Sequence, residues 1–341
     1  MKYARLGNSG LLVSRLALGT MTFGTGFAPV QKVDQAAANE LVARALAGGI
    51  NFFDTANQYS GGQAEELLGR ALGPRRRDVV LATKVGLRLN DEVLLDAGLS
   101  ARHILASAEA SLKRLGTDYI DLFQLHAADT RTPLEETARA LEDLVRRGLV
   151  RYLGFCNLPA WRAALLLGVQ RARGFTPFVS AQLHYSLMNR DIEYELVPLA
   201  QHAGLAVLPW SPLSGGFLSG KYTRDNAGQD ADRRAQFQFP PIDLDLGYAV
   251  VDRLRAIARA HDATVAQAAL AWLLARPFVT SVMVGATRLT QLEENLAAID
   301  IALTPAETDE LDKLTAPPAQ YPHWMAHYFA DPVTRDALGE Q

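Results

Sequence analysis

Cysteine is nearly absent: Cys156 stands alone in 341 residues, so no disulfide closes within the chain. That usage fits a reducing compartment, and a cytoplasmic location is expected. No apolar run approaches the roughly 20 residues needed to span a bilayer, and the start Met1-Lys2-Tyr3-Ala4-Arg5 lacks the apolar region of a secretory signal. Neither a membrane partner nor secretion is expected. The formal net charge of -3 supplies no basic field for nucleic acid, and Arg75-Arg76-Arg77, the sharp basic run, reads as a solvated loop. The seven histidines show no H-E-x-x-H spacing and the lone cysteine cannot join a thiolate cluster, so no metal is expected. Gly215 to Lys221 matches G-x-x-x-x-G-K, but Tyr222 stands where Ser or Thr would bind magnesium, which argues against triphosphate hydrolysis. Its glycine amides and lysine can still hold a pyrophosphate without metal. Gly24-Thr25-Gly26 has Pro29 at the third glycine of a dinucleotide fingerprint, and no Rossmann unit surrounds it.

What remains is 49% hydrophobic and 21% charged, enough for a large core. A hairpin is expected from Lys2 to Leu6 and Leu11 to Ser14, around Gly7-Asn8-Ser9-Gly10. Beyond it, short apolar runs alternate with stretches at helical spacing, the pattern of repeated βα units. Eight strands are expected: Leu16-Gly19, Asn51-Asp54, Val79-Lys84, Ile120-His126, Arg151-Phe155, Val179-Leu183, Ala206-Trp210 and Ser281-Gly285. Helical faces such as Ile104, Ala108, Leu112 and Leu115, capped by Ser100, or Leu134, Ala138, Leu141 and Val145, started by Thr132-Pro133, suit packing on a sheet. Eight units without a low-complexity linker favour a closed (β/α)8 TIM barrel over an open doubly wound sheet. The expected organisation is one domain over residues 1–341. Its hairpin, residues 1–15, plugs the bottom, and an extra helix opens with the capping box Thr304-Pro305-Ala306-Glu307. An aromatic-rich tail, residues 316–341, is expected near the active-site mouth. Two insertions, Gly86 to Leu99 and Ser211 to Leu246, are long enough to imply function or mobility.

A barrel puts its site at the C-terminal ends of the strands, where Asp54, Lys84, His126, Asn157, Gln182, Trp210 and Gly285 fall or closely follow. Asp54, Lys84 and His126, with Tyr59 just beyond, suggest one proton-handling cluster. A lysine ammonium makes a nearby phenol a better acid, a carboxylate holds that lysine charged, and a neutral histidine hydrogen-bonds a substrate oxygen.

The chain resembles the aldo-keto reductases over nearly its whole length. The resemblance rests on NFFDTANQYSGGQAEELLGR from Asn51 to Arg70, Thr83-Lys84, DLFQLHAAD ending at Asp129, GFCN ending at Asn157, LPWSPLSGGFLSGK ending at Lys221, and VGATRLTQLEEN ending at Asn295. It implies a barrel that binds NADP(H) without a Rossmann domain and reduces a small-molecule aldehyde or ketone. Tyr59 would be the general acid, Lys84 and Asp54 would tune it, and His126 would orient the carbonyl. Asn157 and Gln182 would hold the nicotinamide carboxamide, Trp210 would stack on the ring, and Gly19 and Thr20 would also touch the cofactor. Ser211, Leu213, Gly215 and Lys221 would line the pyrophosphate, and Gly285, Arg288, Gln291, Glu294 and Asn295 the adenosine end. Arg288 suits a 2′-phosphate, because a guanidinium bonds phosphate bidentately. Cys156 departs from the family's usual serine and is a weaker donor. Phe23, Phe27, Tyr321 and Trp324 are the expected pocket walls beside Trp210, favouring an apolar or ring-bearing substrate. Two other readings stay open: an NADPH-holding redox sensor or regulatory subunit with little turnover, and a Schiff-base aldolase using Lys84. Oligomeric state is not legible in one chain.

Overall fold

In the computed structural model, which describes residues 1–224, 233–329 and 331–339, eight strands join in one parallel sheet. They are β3 (Leu16–Gly19), β4 (Phe52–Asp54), β5 (Val80–Val85), β6 (Ile120–Leu125), β7 (Val150–Cys156), β8 (Phe178–His184), β9 (Ala206–Trp210) and β10 (Val282–Val284), preceded by β1 (Tyr3–Arg5) and β2 (Leu12–Ser14). β10 pairs with β3. At the other edge Thr280 N donates to Val207 O at 2.9 Å beside a Val207–Val279 bridge, which closes the sheet into a (β/α)8 barrel.

The period-2 alternation of strands divides the core. Ala17, Phe52, Val80, Ala82, Leu122, Ala206, Leu208 and Met283 cluster together inside the barrel. Their strand neighbours Leu16, Leu18, Phe53, Leu81, Phe123, Val207 and Val282 belong to the larger cluster shared with the helices. Carried upward, the inner parity reaches Gly19, Asp54, Lys84, Gln124, Cys156, Gln182 and Trp210. Polar groups thus crown an apolar interior at the C-terminal end.

The helices outside are α1 (Gln35–Ala47), α2 (Gln63–Leu72), α3 (Ala101–Leu115), α4 (Leu134–Arg146), α5 (Ala160–Arg173), α6 (Leu196–Ala203), the short α7 (Arg233–Gln236), α8 (Leu244–Ala260), α9 (Val265–Leu274) and α10 (Leu289–Ala297). They are followed by α11 (Pro305–Leu314) and α12 (Pro332–Leu338). Ser100 caps α3, and Thr304 and Glu307 form a complete capping box on α11. α4 differs from expectation: its cap position is Pro133, with no side-chain cap. The Thr132 hydroxyl instead donates to Asp129 Oδ2 at 2.6 Å, which withdraws it from the helix end.

The hairpin inserts Leu6 and Val13, both fully buried, into the interior cluster, and Asn8 N donates to Gly204 O at 2.8 Å. It plugs the lower mouth. α11 buries Leu311 and is tied on by Asp312, which accepts from Trp272 Nε1 at 2.9 Å and Arg276 Nη1 at 2.8 Å. Part of the second insertion, residues 225–232, lies outside the described residues, as do 330, 340 and 341 of the tail. Among the described residues no helix is long and apolar enough to cross a membrane.

Candidate active site

Asp54 ends β4 and Lys84 lies near the end of β5, both on the inner face, and Lys84 is wholly buried. The Lys84 Nζ donates to Asp54 Oδ1 at 2.5 Å, to Thr55 O at 2.8 Å and to Tyr59 Oη at 3.2 Å. One ammonium therefore joins the carboxylate to the phenol. Tyr59 reaches it from the turn after β4, where Ser60 adopts φ +50° and anchors its hydroxyl on Phe23 O at 2.8 Å. The His126 ring meets Tyr59 edge to face, centroids 5.8 Å apart, so the four proposed catalytic residues converge.

Burial opposes the Lys84 charge, but Asp54 and Tyr59 more than offset it, and the lysine pKa ends raised. For Tyr59, loss of solvent raises the pKa and outweighs the lowering by Lys84. The net direction is opposite to the acidification expected of a neighbouring ammonium: Tyr59 is held as a protonated phenol. His126 is pushed down to about 3 by burial and by Lys84, which leaves it neutral near pH 7, and its Nδ1 is buried without a hydrogen-bond partner among the described residues.

Above this cluster opens a cavity of about 1080 Å³, just above the ~300–1,000 Å³ usual for small-molecule and cofactor sites. Asp54, Tyr59 and His126 line it, with all fourteen residues expected to touch a cofactor: Gly19, Thr20, Asn157, Gln182, Trp210, Ser211, Leu213, Gly215, Lys221, Gly285, Arg288, Gln291, Glu294 and Asn295. Glycines and the cations Lys221, Arg233 and Arg288 share its walls, a donor set that suits a diphosphate. Ser211 and Ser214 have φ +52° and +49°, and the turn they shape lets Gly215 N donate to Ser211 Oγ at 3.1 Å. Non-glycine residues at positive φ concentrate at ligand clamps.

Several of the residues expected to touch a cofactor also have partners within the protein. Asn157 Nδ2 donates to His126 O at 3.1 Å, and its Oδ1 accepts from Trp210 Nε1 at 2.9 Å. Gln182 Nε2 donates to Asp54 Oδ2 at 2.9 Å. Both amides already serve partners within the protein. The Trp210 ring is likewise engaged, stacked on His184 at 4.6 Å and near-parallel to Phe239 at 5.9 Å. Of the four expected pocket walls, Phe23 is fully buried in the helix-side core. Phe27 packs edge-on against Phe237 at 5.0 Å. Tyr321 and Trp324 are exposed, because the tail docks on the segment after β8, where His323 Nε2 lies 3.0 Å from Tyr194 O and 3.2 Å from Glu195 Oε1. None of the four lines the cavity. Met21, Lys32, Gln58, Leu87, Arg233 and Phe239 do, from loops and the start of α7, whose positions no local pattern specifies. Gln124 was also missed; its place two residues before His126, on the inward parity, was the available signal. Cys156 is buried, with its Sγ 3.9 Å from Gln124 Oε1. Burial pushes its thiol pKa up, which makes it an unreactive group.

A sequence model of the aldo/keto reductase family matches residues 15–316. An uncharacterised oxidoreductase of Bacillus subtilis is 38% identical over 89% of this chain and 92% of its own length. Versiconal hemiacetal acetate reductase of Aspergillus parasiticus is 34% identical over 94% and 99%. A probable voltage-gated potassium channel subunit beta of Arabidopsis thaliana is 35% identical over 92% and 96%.

Proposed function

The chain belongs to the aldo/keto reductase family, and on that premise we propose that it reduces an aldehyde or ketone to the alcohol with NADPH, Tyr59 being the general acid. The observation that carries this reading is the continuous Asp54–Lys84–Tyr59 contact opening onto the large cavity.

NADPH, when bound, supplies the hydride. The residues of the chain manage the charge that hydride addition builds on the carbonyl oxygen. Tyr59, kept protonated by its surroundings, donates its hydroxyl proton to that oxygen. Lys84 stabilises the phenolate that remains, and Asp54 keeps the lysine charged and oriented. The neutral His126 ring offers an N–H to the same oxygen, and donors aimed at developing charge act most strongly where water is excluded. Ser211, Leu213, Gly215 and Lys221 would hold the pyrophosphate, and Gly285, Gln291, Glu294 and Asn295 the adenosine. Arg288 would take the 2′-phosphate, which favours NADPH over NADH. Gly19 and Thr20 would border the nicotinamide end, where Gln182 keeps its carbonyl oxygen for a ligand.

The raised Lys84 pKa argues against a Schiff-base role, which needs a neutral amine. A regulatory reading has one observation in its favour, the likeness to proteins named as potassium channel subunits. Turnover separates the two. Purified protein with NADPH and an aromatic aldehyde is expected to consume the reduced nicotinamide absorbance, and Tyr59→Phe to slow this by about 10²–10⁴-fold with NADPH binding retained. A fully active Tyr59→Phe would place the acid elsewhere. Tight NADPH binding with negligible reduction of many carbonyls would favour the regulatory subunit.

A further inference from the structure

Asp54 spends only one oxygen on Lys84. Its other oxygen, Oδ2, accepts from two amides, Gln124 Nε2 at 3.0 Å and Gln182 Nε2 at 2.9 Å. Gln124 is fully buried inside the barrel, two residues above Leu122, where the interior is apolar. A buried amide costs free energy unless it is hydrogen-bonded, so a leucine would fill this level without that demand. The neighbouring strands make room for it. Gln124 pairs in register with Lys84 on one side and Gly154 on the other. A Cβ at Gly154 would stand 2.4 Å from Ser180 Oγ and 3.3 Å from Gln124 Cγ, so the glycine avoids a collision with Ser180 and leaves the glutamine stem uncrowded. The Cys156 thiol points at Gln124 Oε1 from 3.9 Å, which orients the amide with its NH2 toward Asp54.

We propose that Gln124, with Gln182 as its partner, is a positioning residue that fixes the rear oxygen of Asp54 and so holds the Asp54–Lys84–Tyr59 line in register for proton donation. Resting on the reductase reading above, the inference adds a second, inward-facing layer to the site. A carboxylate gripped at one oxygen alone can turn about its Cβ–Cγ bond, which would pull Lys84 Nζ off its line to Tyr59 and leave Thr55 O, at 2.8 Å, as its remaining anchor. Two amides on Oδ2 remove that freedom without changing the charge.

The test compares Gln124→Leu and Gln124→Glu with the wild type, using NADPH and whichever aldehyde the wild type reduces best. For Gln124→Leu the expected result is a fall in kcat of about tenfold or more, with KM for the aldehyde and Kd for NADPH within about twofold. The glutamate variant turns a carboxylate toward Asp54 at high pH and a protonated donor at low pH. Its activity relative to wild type is therefore expected to recover as pH falls, since two adjacent carboxyls share a proton. A merely space-filling role would lower the melting temperature and leave both kinetic signatures flat, and that outcome overturns the proposal. So does a Gln124→Leu enzyme with wild-type kcat. If Gln124→Leu does not fold, the pH dependence of Gln124→Glu decides alone. A wild type that reduces no carbonyl defeats the reductase reading itself, whereas an active wild type with indifferent variants defeats only the clamp.

Discussion

Burial and the Lys84 charge together hold His126 neutral down to about 3, and burial holds His184 neutral down to about 4 against the opposing pull of Asp191, compared with about 6.5 for an unfolded histidine. Between pH ~6.5 and ~4 the unfolded chain takes up protons that the native histidines refuse, so stability falls as pH falls. Their contribution is fully present above about pH 6.5. His184→Phe keeps a ring beneath Trp210 and removes one of these groups. The variant is expected to lose less of its urea midpoint than wild type between pH 6.5 and 4.5, and an equal loss would show that His184 is not a buried neutral group. The residue types of the proposed catalytic cluster were legible in the sequence, since few roles besides proton handling place Asp54, Tyr59, Lys84 and His126 at or just beyond the ends of strands. Their protonation states were not. The ammonium beside Tyr59 suggested a lowered phenol pKa, and the loss of solvent, a property of the folded site, reverses it.

Among the elements, strand runs and caps were readable because they are local. β3 and β9 match their expected bounds, and Ser100 and Thr304 cap as expected. Thr132 did not cap α4, because its hydroxyl was claimed by Asp129, a partner no helix rule supplies. Helix crossings were equally invisible. Gly69 lies where α2 meets α3, and a Cβ there would sit 2.4 Å from Leu115 O. Replacing glycine by alanine inside a helix ordinarily gains up to about 1 kcal/mol. Here the opposing backbone leaves no room, and Gly69→Ala is expected to lower unfolding free energy by about 1–3 kcal/mol. Chemical denaturation measures the sign directly, and a stabilised variant would mean that the two helices separate without cost.

For the molecule as a whole, the barrel places the hairpin plug and the proposed site at opposite mouths. Leu6 is fully buried in the plug at the lower mouth. Leu6→Ala is expected to cost about 2–5 kcal/mol in unfolding free energy while kcat stays near wild type, and a large change in kcat would show that the two ends are coupled. Ligand linkage offers a second whole-molecule measurement. A cofactor that binds only the folded chain stabilises it by about 2.7 kcal/mol at 100 times its Kd. NADPH is expected to raise the melting temperature more than equimolar NADH, and Arg288→Ala to erase the difference; equal shifts in wild type would remove Arg288 from the 2′-phosphate. The sequence by itself determined the eight βα units, the hairpin that precedes them and the ring of polar residues at the strand ends, because periodicity, turn chemistry and strand termini are local properties of the chain. Only the tertiary structure decided what that ring is bonded to. The grip of Gln124 and Gln182 on Asp54, the stack of His184 beneath Trp210, and the absence of Phe23, Phe27, Tyr321 and Trp324 from the cavity wall depend on contacts between residues far apart in the chain, which barrel closure brings together and no local pattern encodes.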